Sequence, residues 1–543
     1  MKIIYLLLYG CVLLSCTHKL QTDLIVHHAK VYTVDSTFSI AEAIAVKDGK
    51  IVEAGNNQRI LDTYTAKEMI DAKGKIMYPG FIDGHAHFYS YGLSLKEVNL
   101  VGTKSWDECI ERSIAFAKQN NIQPGTWLTG NGWDQNDWTD KNFPDKQKLD
   151  EAFPATPVLL SRIDGHAAIA NQAALDKAGI KAGDTLRGGV FETKDKKLTG
   201  ILIDNAVGSV SSIIPSPKID ILQKLFKQAE HNCFAVGLTG VMDCGLAKAT
   251  VNELDSMQKT GNLKMKLTVL LSDAEENYDY YLSKTPYQSD RMRIAGFKLY
   301  ADGALGSRGA CLLQPYNDKK GWNGFLLSNV EHYTQVLKRI YNSPYQACVH
   351  AIGDSANRMI LQQFATILQN KNDRRWRIEH AQVVDAANME WFGKYNVIPS
   401  VQPTHATSDM YWAGERLGTN RIKTAYAYKQ LFQQNGWIVL GTDFPVEDIS
   451  PFKTFYAAVV RKDATGFPAN GFQIENALTR EQALRGITIW AARGSFEETQ
   501  KGSIEKGKWA DFILVDTDIM QCKDADILKS KVIATYINGE KVY

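Results

Sequence analysis

Apolar residues fall along this chain in short runs closed by polar or glycine-rich punctuation, and the pattern changes character twice. Near the start, Asp23-Leu24-Ile25-Val26, Ala43-Ile44-Ala45-Val46, Lys50-Ile51-Val52 and Lys75-Ile76-Met77 read as short strands, with Lys47-Asp48-Gly49-Lys50 as a hairpin turn. The far end repeats that texture in Ala510 to Val515, Val532 to Ile537, Asn538-Gly539 and Lys541-Val542-Tyr543. Neither end is large enough for a core of its own, so residues 17–78 and 500–543 are expected to pack as one small β-sandwich domain.

Between them, over residues 79–499, strand-like runs alternate with amphipathic stretches such as Val330 to Tyr341, Ser355 to Gln369 and Asp385 to Tyr395. Alternation of this kind indicates βα units and a parallel sheet. Eight buried strands are expected: Ile76 to Asp83, Thr239 to Cys244, Lys264 to Leu271, Ile294 to Tyr300, Gln346 to His350, Arg375 to Glu379, Val397 to Gln402 and Trp437 to Leu440. Eight units fit an α/β (β/α)₈ TIM barrel. About 150 residues separate the first two strands, too many for a loop, so an inserted subdomain is expected over roughly 100–235.

The N-terminus departs from this pattern. Met1-Lys2 leads into an apolar run, Ile3 to Leu14, too short to span a bilayer but suited to a signal peptide. Leu13-Leu14-Ser15-Cys16 resembles a bacterial lipobox, which implies cleavage after residue 15, a lipid on Cys16 and attachment at the cell envelope, on its periplasmic or surface face. A soluble secreted protein cut nearby is the alternative. The other cysteines beyond this point (109, 233, 244, 311, 348 and 522) are scattered without Cys-x-x-Cys pairing, which argues for single thiols over a disulfide framework. Formal net charge is +2 with no long Lys/Arg run, so nucleic acid is a poor partner. The oligomeric state, a homodimer included, is left open.

Chemistry gathers at the strand ends, where barrel enzymes place reactive groups. Pro79-Gly80-Phe81-Ile82-Asp83-Gly84-His85-Ala86-His87 ends in two histidines two positions apart, which on a strand share a face. By itself that pair is as readily a surface feature as a metal site. The fourth strand carries Lys298, the fifth ends in His350, the sixth in Glu379-His380, and the eighth in Gly441-Thr442-Asp443. Each has a structural explanation alone, a helix N-cap before Pro445 for Asp443 among them. Together, at five strand ends, they indicate one site.

The motifs at 79–87, 298–310, 349–354 (Val-His-Ala-Ile-Gly-Asp), 378–382 (Ile-Glu-His-Ala-Gln) and 441–446 (Gly-Thr-Asp-Phe-Pro-Val) resemble the amidohydrolase superfamily. Asn131-Gly132-Trp133-Asp134 and Asp164-Gly165-His166 look like its family 3, the YtcJ-like and N-substituted-formamide-deformylase-like group. The resemblance implies that His85, His87, His350, His380 and Asp443 bind one or two divalent metal ions, with zinc suited to such donors. Lys298 joins them only as a carbamate bridging two metals, since an ammonium has no lone pair; otherwise it is a charged strand residue and one metal binds. Asp443 would be the general base in hydrolysis of a C–N bond in an amide, formamide or cyclic amide outside peptides. The same site acting on an ester, or in a lyase or isomerase step, and a non-catalytic lipid-anchored binder are the alternatives. Substrate contacts are expected from Trp133, Asp134, His166 and Arg308. Trp138, Tyr411 and Trp412 suggest a pocket for a sizeable small molecule.

Overall fold

A computed structural model describes residues 19–543. The lipobox and Cys16 lie outside the described residues. Eight parallel strands form the central sheet: β1 (Phe81–Ala86), β2 (Leu238–Leu246), β3 (Lys266–Ser272), β4 (Met292–Tyr300), β5 (Gln346–Ala351), β6 (Arg377–His380), β7 (Ile398–Val401) and β8 (Val439–Leu440). Each pairs with the next in sequence, and helices such as Val330–Tyr341 and Asp354–Leu368 lie outside them. The sheet curls until β8 meets β1. There a side chain at Gly84 would put its Cβ 2.3 Å from Val439 Cγ1, so only glycine allows the closure. The fold is a (β/α)₈ barrel with a TIM-type ring of helices.

One expected strand divides. Ile76–Pro79 belongs to the small domain, pairing antiparallel with Phe512–Val515, and the barrel strand begins only at Phe81. Gly80 is the crossing point: its N–H donates to Asp511 O at 2.9 Å, and a Cβ there would fall 2.3 Å from Thr239 Oγ1. Continuous hydrophobicity conceals the break because both halves are buried on both faces.

The two chain ends share a six-stranded sheet that also holds Lys30–Tyr32, Ile40–Ala41, Val532–Ile537 and Glu540–Lys541. A four-stranded sheet of Leu20–His27, Ala43–Lys47, Lys50–Gly55 and Tyr64–Asp71 faces it. Val26, Val31, Ile44, Met77, Phe512 and Leu514 form a common core between the layers, as in a sandwich.

After β1 the chain builds a second six-stranded sheet, from Val98–Asn99 to Lys197–Asp204, with its own apolar clusters. The helix Ile219–Ala235, which sequence places inside the insertion, packs instead with the barrel, burying Leu222, Phe226 and Phe234 in the main core. Its apolar stripe is the ordinary barrel-facing kind, so the insertion ends before it.

Candidate metal centre and its cavity

Asp83 ties the eighth strand's end to the first. Its carboxylate accepts from Thr442 N at 3.0 Å, from Thr442 Oγ1 at 2.7 Å and from His85 N at 3.1 Å. Burial pushes this carboxyl up to about 7 against those donors. Asp443 N then donates to His85 O at 2.8 Å. With Asp443 in the left-handed region (φ +66), its Oδ1 stands 3.2 Å from His87 Nε2 and 3.4 Å from His85 Nε2.

Three of the four imidazoles are oriented from behind, whereas His350 Nε2 lies 3.5 Å from Gly303 O. His87 Nδ1–H donates to Cys244 O at 3.0 Å, and His380 Nδ1–H donates to Gln402 Oε1 at 2.7 Å. His85 Nδ1 meets Glu379 Oε2 at 2.5 Å. An acceptor on Nδ1 leaves Nε2 as the lone-pair nitrogen, turned toward the centre. The rings crowd together, with centroids 4.8 Å apart for His85 and His380 and 4.6 Å for His350 and His380. Burial drives His85 down to about 4, with Lys298 adding to it, and holds His350 and His380 well below the usual histidine value. Neutral imidazole is the metal-binding form.

Lys298 Nζ is buried 3.1 Å from His85 Nε2. Burial acts to lower its pKa, but Tyr300, Cys244, Glu379 and Asp443 outweigh that and the net shift is upward. For Asp443 burial acts upward, yet His85, His87 and His380 hold the carboxyl well below its usual range. Its Oδ1 is buried without a hydrogen-bond partner among the described residues, because a His87 protonated on Nδ1 has no Nε2 proton to give. Neutral imidazoles and an unsatisfied carboxylate around one point fit a divalent cation.

A model of the amidohydrolase family matches residues 68–543. The chain belongs to that family. This amidohydrolase is 31% identical to protein LONG AFTER FAR-RED 3 of Arabidopsis thaliana, over 96% of this chain and 91% of that one. It is 28% identical to the putative amidohydrolase YtcJ of Bacillus subtilis, over 95% and 98%. It is 24% identical to the N-substituted formamide deformylase of Arthrobacter pascens, over 95% and 97%. Among solved structures it is similar to an uncharacterized metal-dependent hydrolase from Pyrococcus horikoshii, at a TM-score of 0.75 and 27% identity over 92% of this chain and 99% of that one. The amidohydrolase is thus a metal-dependent hydrolase by family, with a candidate metal centre at the carboxyl ends of its barrel strands.

A cavity of about 830 Å³ opens over that centre, lined by barrel and insertion alike. Two of the four expected substrate contacts reach it. His166 lines it with its ring centroid 4.9 Å from His350, held through Nδ1 by Asp204 Oδ1 at 2.7 Å. Asp134 lines it and bonds the buried guanidinium of Arg162, which also holds Asp164 at 2.7 Å. The other two do not. Trp133 is fully buried in the insertion's core beside Trp138 and Phe143, donating to Leu160 O at 2.8 Å. Arg308 pairs with Asp318 at 2.8 Å, outside the cavity lining. Trp412 lines the cavity, Trp138 does not, and Tyr411 is exposed, stacked on Phe467.

Three residues at the centre had no role assigned from sequence, although Glu379 and Gln402 stand at expected strand ends. Glu379 lies inside the barrel, binding His85 on one side and Arg377 Nη2, at 3.0 Å, on the other. Gln402 holds His380. His405, in the helix Pro403–Asp409, stacks on His380 at 5.9 Å and brings Nε2 to 3.6 Å from Asp443 Oδ2. A signal for it exists in Gln402-Pro403-Thr404-His405, a polar run directly after a buried strand.

Proposed function

We propose that this amidohydrolase hydrolyses a carbon–nitrogen bond of a small molecule (an amide, formamide or cyclic amide) at a zinc-type centre with Asp443 as general base. The observation that carries the reading is that His85, His87 and Asp443 bring their ligand atoms within 4.8 Å of one another, as do His380, His405 and the same Asp443, with His350 and Lys298 beside them. His85, His87 and Asp443 would hold one cation and His350 and His380 a second. Lys298 would bridge them as a carbamate, an arrangement its fully buried Nζ beside His85 supports. Carbamate formation needs the neutral amine, whereas Tyr300, Cys244, Glu379 and Asp443 favour the protonated form; bound cations would supply the opposing positive charge. A bound divalent cation supplies Lewis acidity, making water acidic near neutral pH and polarising a carbonyl oxygen.

The chain's own residues do the rest. Asp443 takes the proton of the attacking water on its free oxygen and delivers it to the departing nitrogen. His87 and His85, fixed from behind, keep that carboxylate in place, and His166 faces the substrate from the insertion. The similarity to an N-substituted formamide deformylase supports the C–N assignment. An Asp443→Asn protein that folds should lose at least about 10³-fold in kcat on any amide the natural protein cleaves. Retention of turnover in that variant would remove Asp443 from the proton path.

A further inference from the structure

Strand side chains alternate between faces, so two neighbouring histidines at a strand's end should point apart. His27 and His28 do not. His27 ends the strand Leu20–His27 of the small domain, and His28 turns into the left-handed region (φ +53), which swings its ring back beside its neighbour's. The two Nδ1 atoms stand 3.0 Å apart, and His28 Nδ1 lies 3.2 Å from Asp71 Oδ1. Asp71 ends the parallel strand Tyr64–Asp71, in register with His27. The three ligand atoms all fall within 4.8 Å of one another.

Backbone bonds fix this arrangement from several sides. His28 N donates to Asn57 Oδ1 at 2.7 Å, and Asn57 N donates in turn to Glu42 Oε2 at 3.0 Å. Ala72 N donates to His27 O at 2.8 Å and Gly74 N to His28 O at 2.7 Å. Lys73 N donates to Asp71 Oδ1 at 2.8 Å, which holds that carboxyl below its usual range.

Protons alone satisfy the cluster poorly. An N–H on His28 Nδ1 has to be divided between an imidazole lone pair and a carboxylate. With the proton on His27 instead, the His28 lone pair faces the carboxylate, and protons on both Nδ1 atoms set two donors against each other. A divalent cation satisfies all three atoms at once. With bonds of about 2.1 Å, neighbouring donors lie about 3.0 Å apart in an octahedral shell and about 3.4 Å apart in a tetrahedral one, which brackets both separations. His28 and Asp71 are exposed and His27 is half-buried, so water can fill the remaining positions.

We propose that His27, His28 and Asp71 form a surface site for a late first-row divalent cation, made of small-domain residues alone. Two imidazole nitrogens and one carboxylate oxygen suit zinc, nickel or copper better than magnesium or calcium, which favour oxygen donors. The cation cross-links the ends of two parallel strands, so it braces the small domain and takes no part in turnover. The site is independent of the hydrolase reading.

The test uses the full chain with its buried centre already loaded, titrated calorimetrically with Zn²⁺ in chelator-free buffer. The natural protein should take up one further equivalent. His28→Asn, whose side chain tolerates the left-handed backbone, and Asp71→Asn should each weaken that step about tenfold or more. His27→Gln combined with His28→Asn should abolish it, and the metal content of the buried centre should be the same in every variant. Zinc-edge anomalous diffraction from soaked crystals should place a peak about 2.0–2.2 Å from both Nδ1 atoms. No further equivalent, or one of equal affinity in all these proteins, overturns the site. Binding only at millimolar zinc marks an adventitious ion and overturns it too. Each of those results leaves the buried centre untouched, and if that centre takes no zinc, the difference between natural protein and variants still reads the surface site.

Discussion

His85 has no freedom left once its two nitrogens are accounted for. Nδ1 is held by Glu379, itself gripped by Arg377, whose Nη2 also donates to Gly84 O at 2.7 Å and to Ser400 Oγ at 2.6 Å. Arg377 and His85 hold the Glu379 carboxyl far below its usual value against the opposing effect of burial. This carboxylate keeps the imidazole in the tautomer whose Nε2 faces the centre. Glu379→Gln should therefore weaken metal binding about 10- to 100-fold, read by competition with a chelating dye. Unchanged affinity would make Glu379 a packing residue. The histidines were legible in sequence because a strand's end dictates where its last side chains go. Glu379 and Gln402 were not, since their roles depend on contacts made with residues tens to hundreds of positions away. Trp133 misled for a different reason: a tryptophan among polar neighbours looks exposed, but it ends the strand Leu128–Trp133, whose buried side faces the insertion's own core.

At the scale of elements, the small domain is joined to the barrel by buried polar contacts as well as packing. Lys266, at the start of β3, donates to both oxygens of Asp511 at 2.7 and 2.9 Å. Burial lowers the Lys266 ammonium to about 8, more than Asp511 restores. An unfolded lysine titrates near 10.4. Between pH 8 and 10 the unfolded chain thus keeps a proton that the native chain releases, and stability rises with pH. Over that window the unfolding free energy of the natural protein should gain about 2 kcal/mol on that of Lys266→Met. Parallel curves would mean that the ion pair stays charged throughout. Seven of the eight strands were readable from hydrophobic runs with ends within two residues, and the first only in part. The division at Gly80 was not, because burial on both faces erases the alternation that marks a boundary.

For the whole molecule, catalysis and recognition fall to different parts of the chain. Barrel strands carry the metal donors, while the insertion contributes Asp134, Arg162 and His166 to the wall above them. Strand-end logic reaches the first set, whereas loop and insertion geometry, which sets specificity, follows no period that sequence displays. Among the described residues no helix is long and apolar enough to cross a membrane. We propose that attachment to the envelope rests on Cys16, on the strength of the lipobox-like Leu13-Leu14-Ser15-Cys16. Cells expressing the natural chain should label it with palmitate and retain it in membranes, and Cys16→Ser should abolish both. Unlabelled, freely released natural protein would rule the anchor out.

The claim beneath all of this is that side chains from β1, β4, β5, β6 and the β8 loop surround a bound cation. Anomalous diffraction at the zinc edge, from crystals of protein purified without chelator, tests it most directly. The account predicts one or two peaks within bonding distance of His85, His87, His350, His380 and Asp443, with density for a carbamate on Lys298 when there are two. Zinc bound elsewhere, with those imidazoles free, would contradict it.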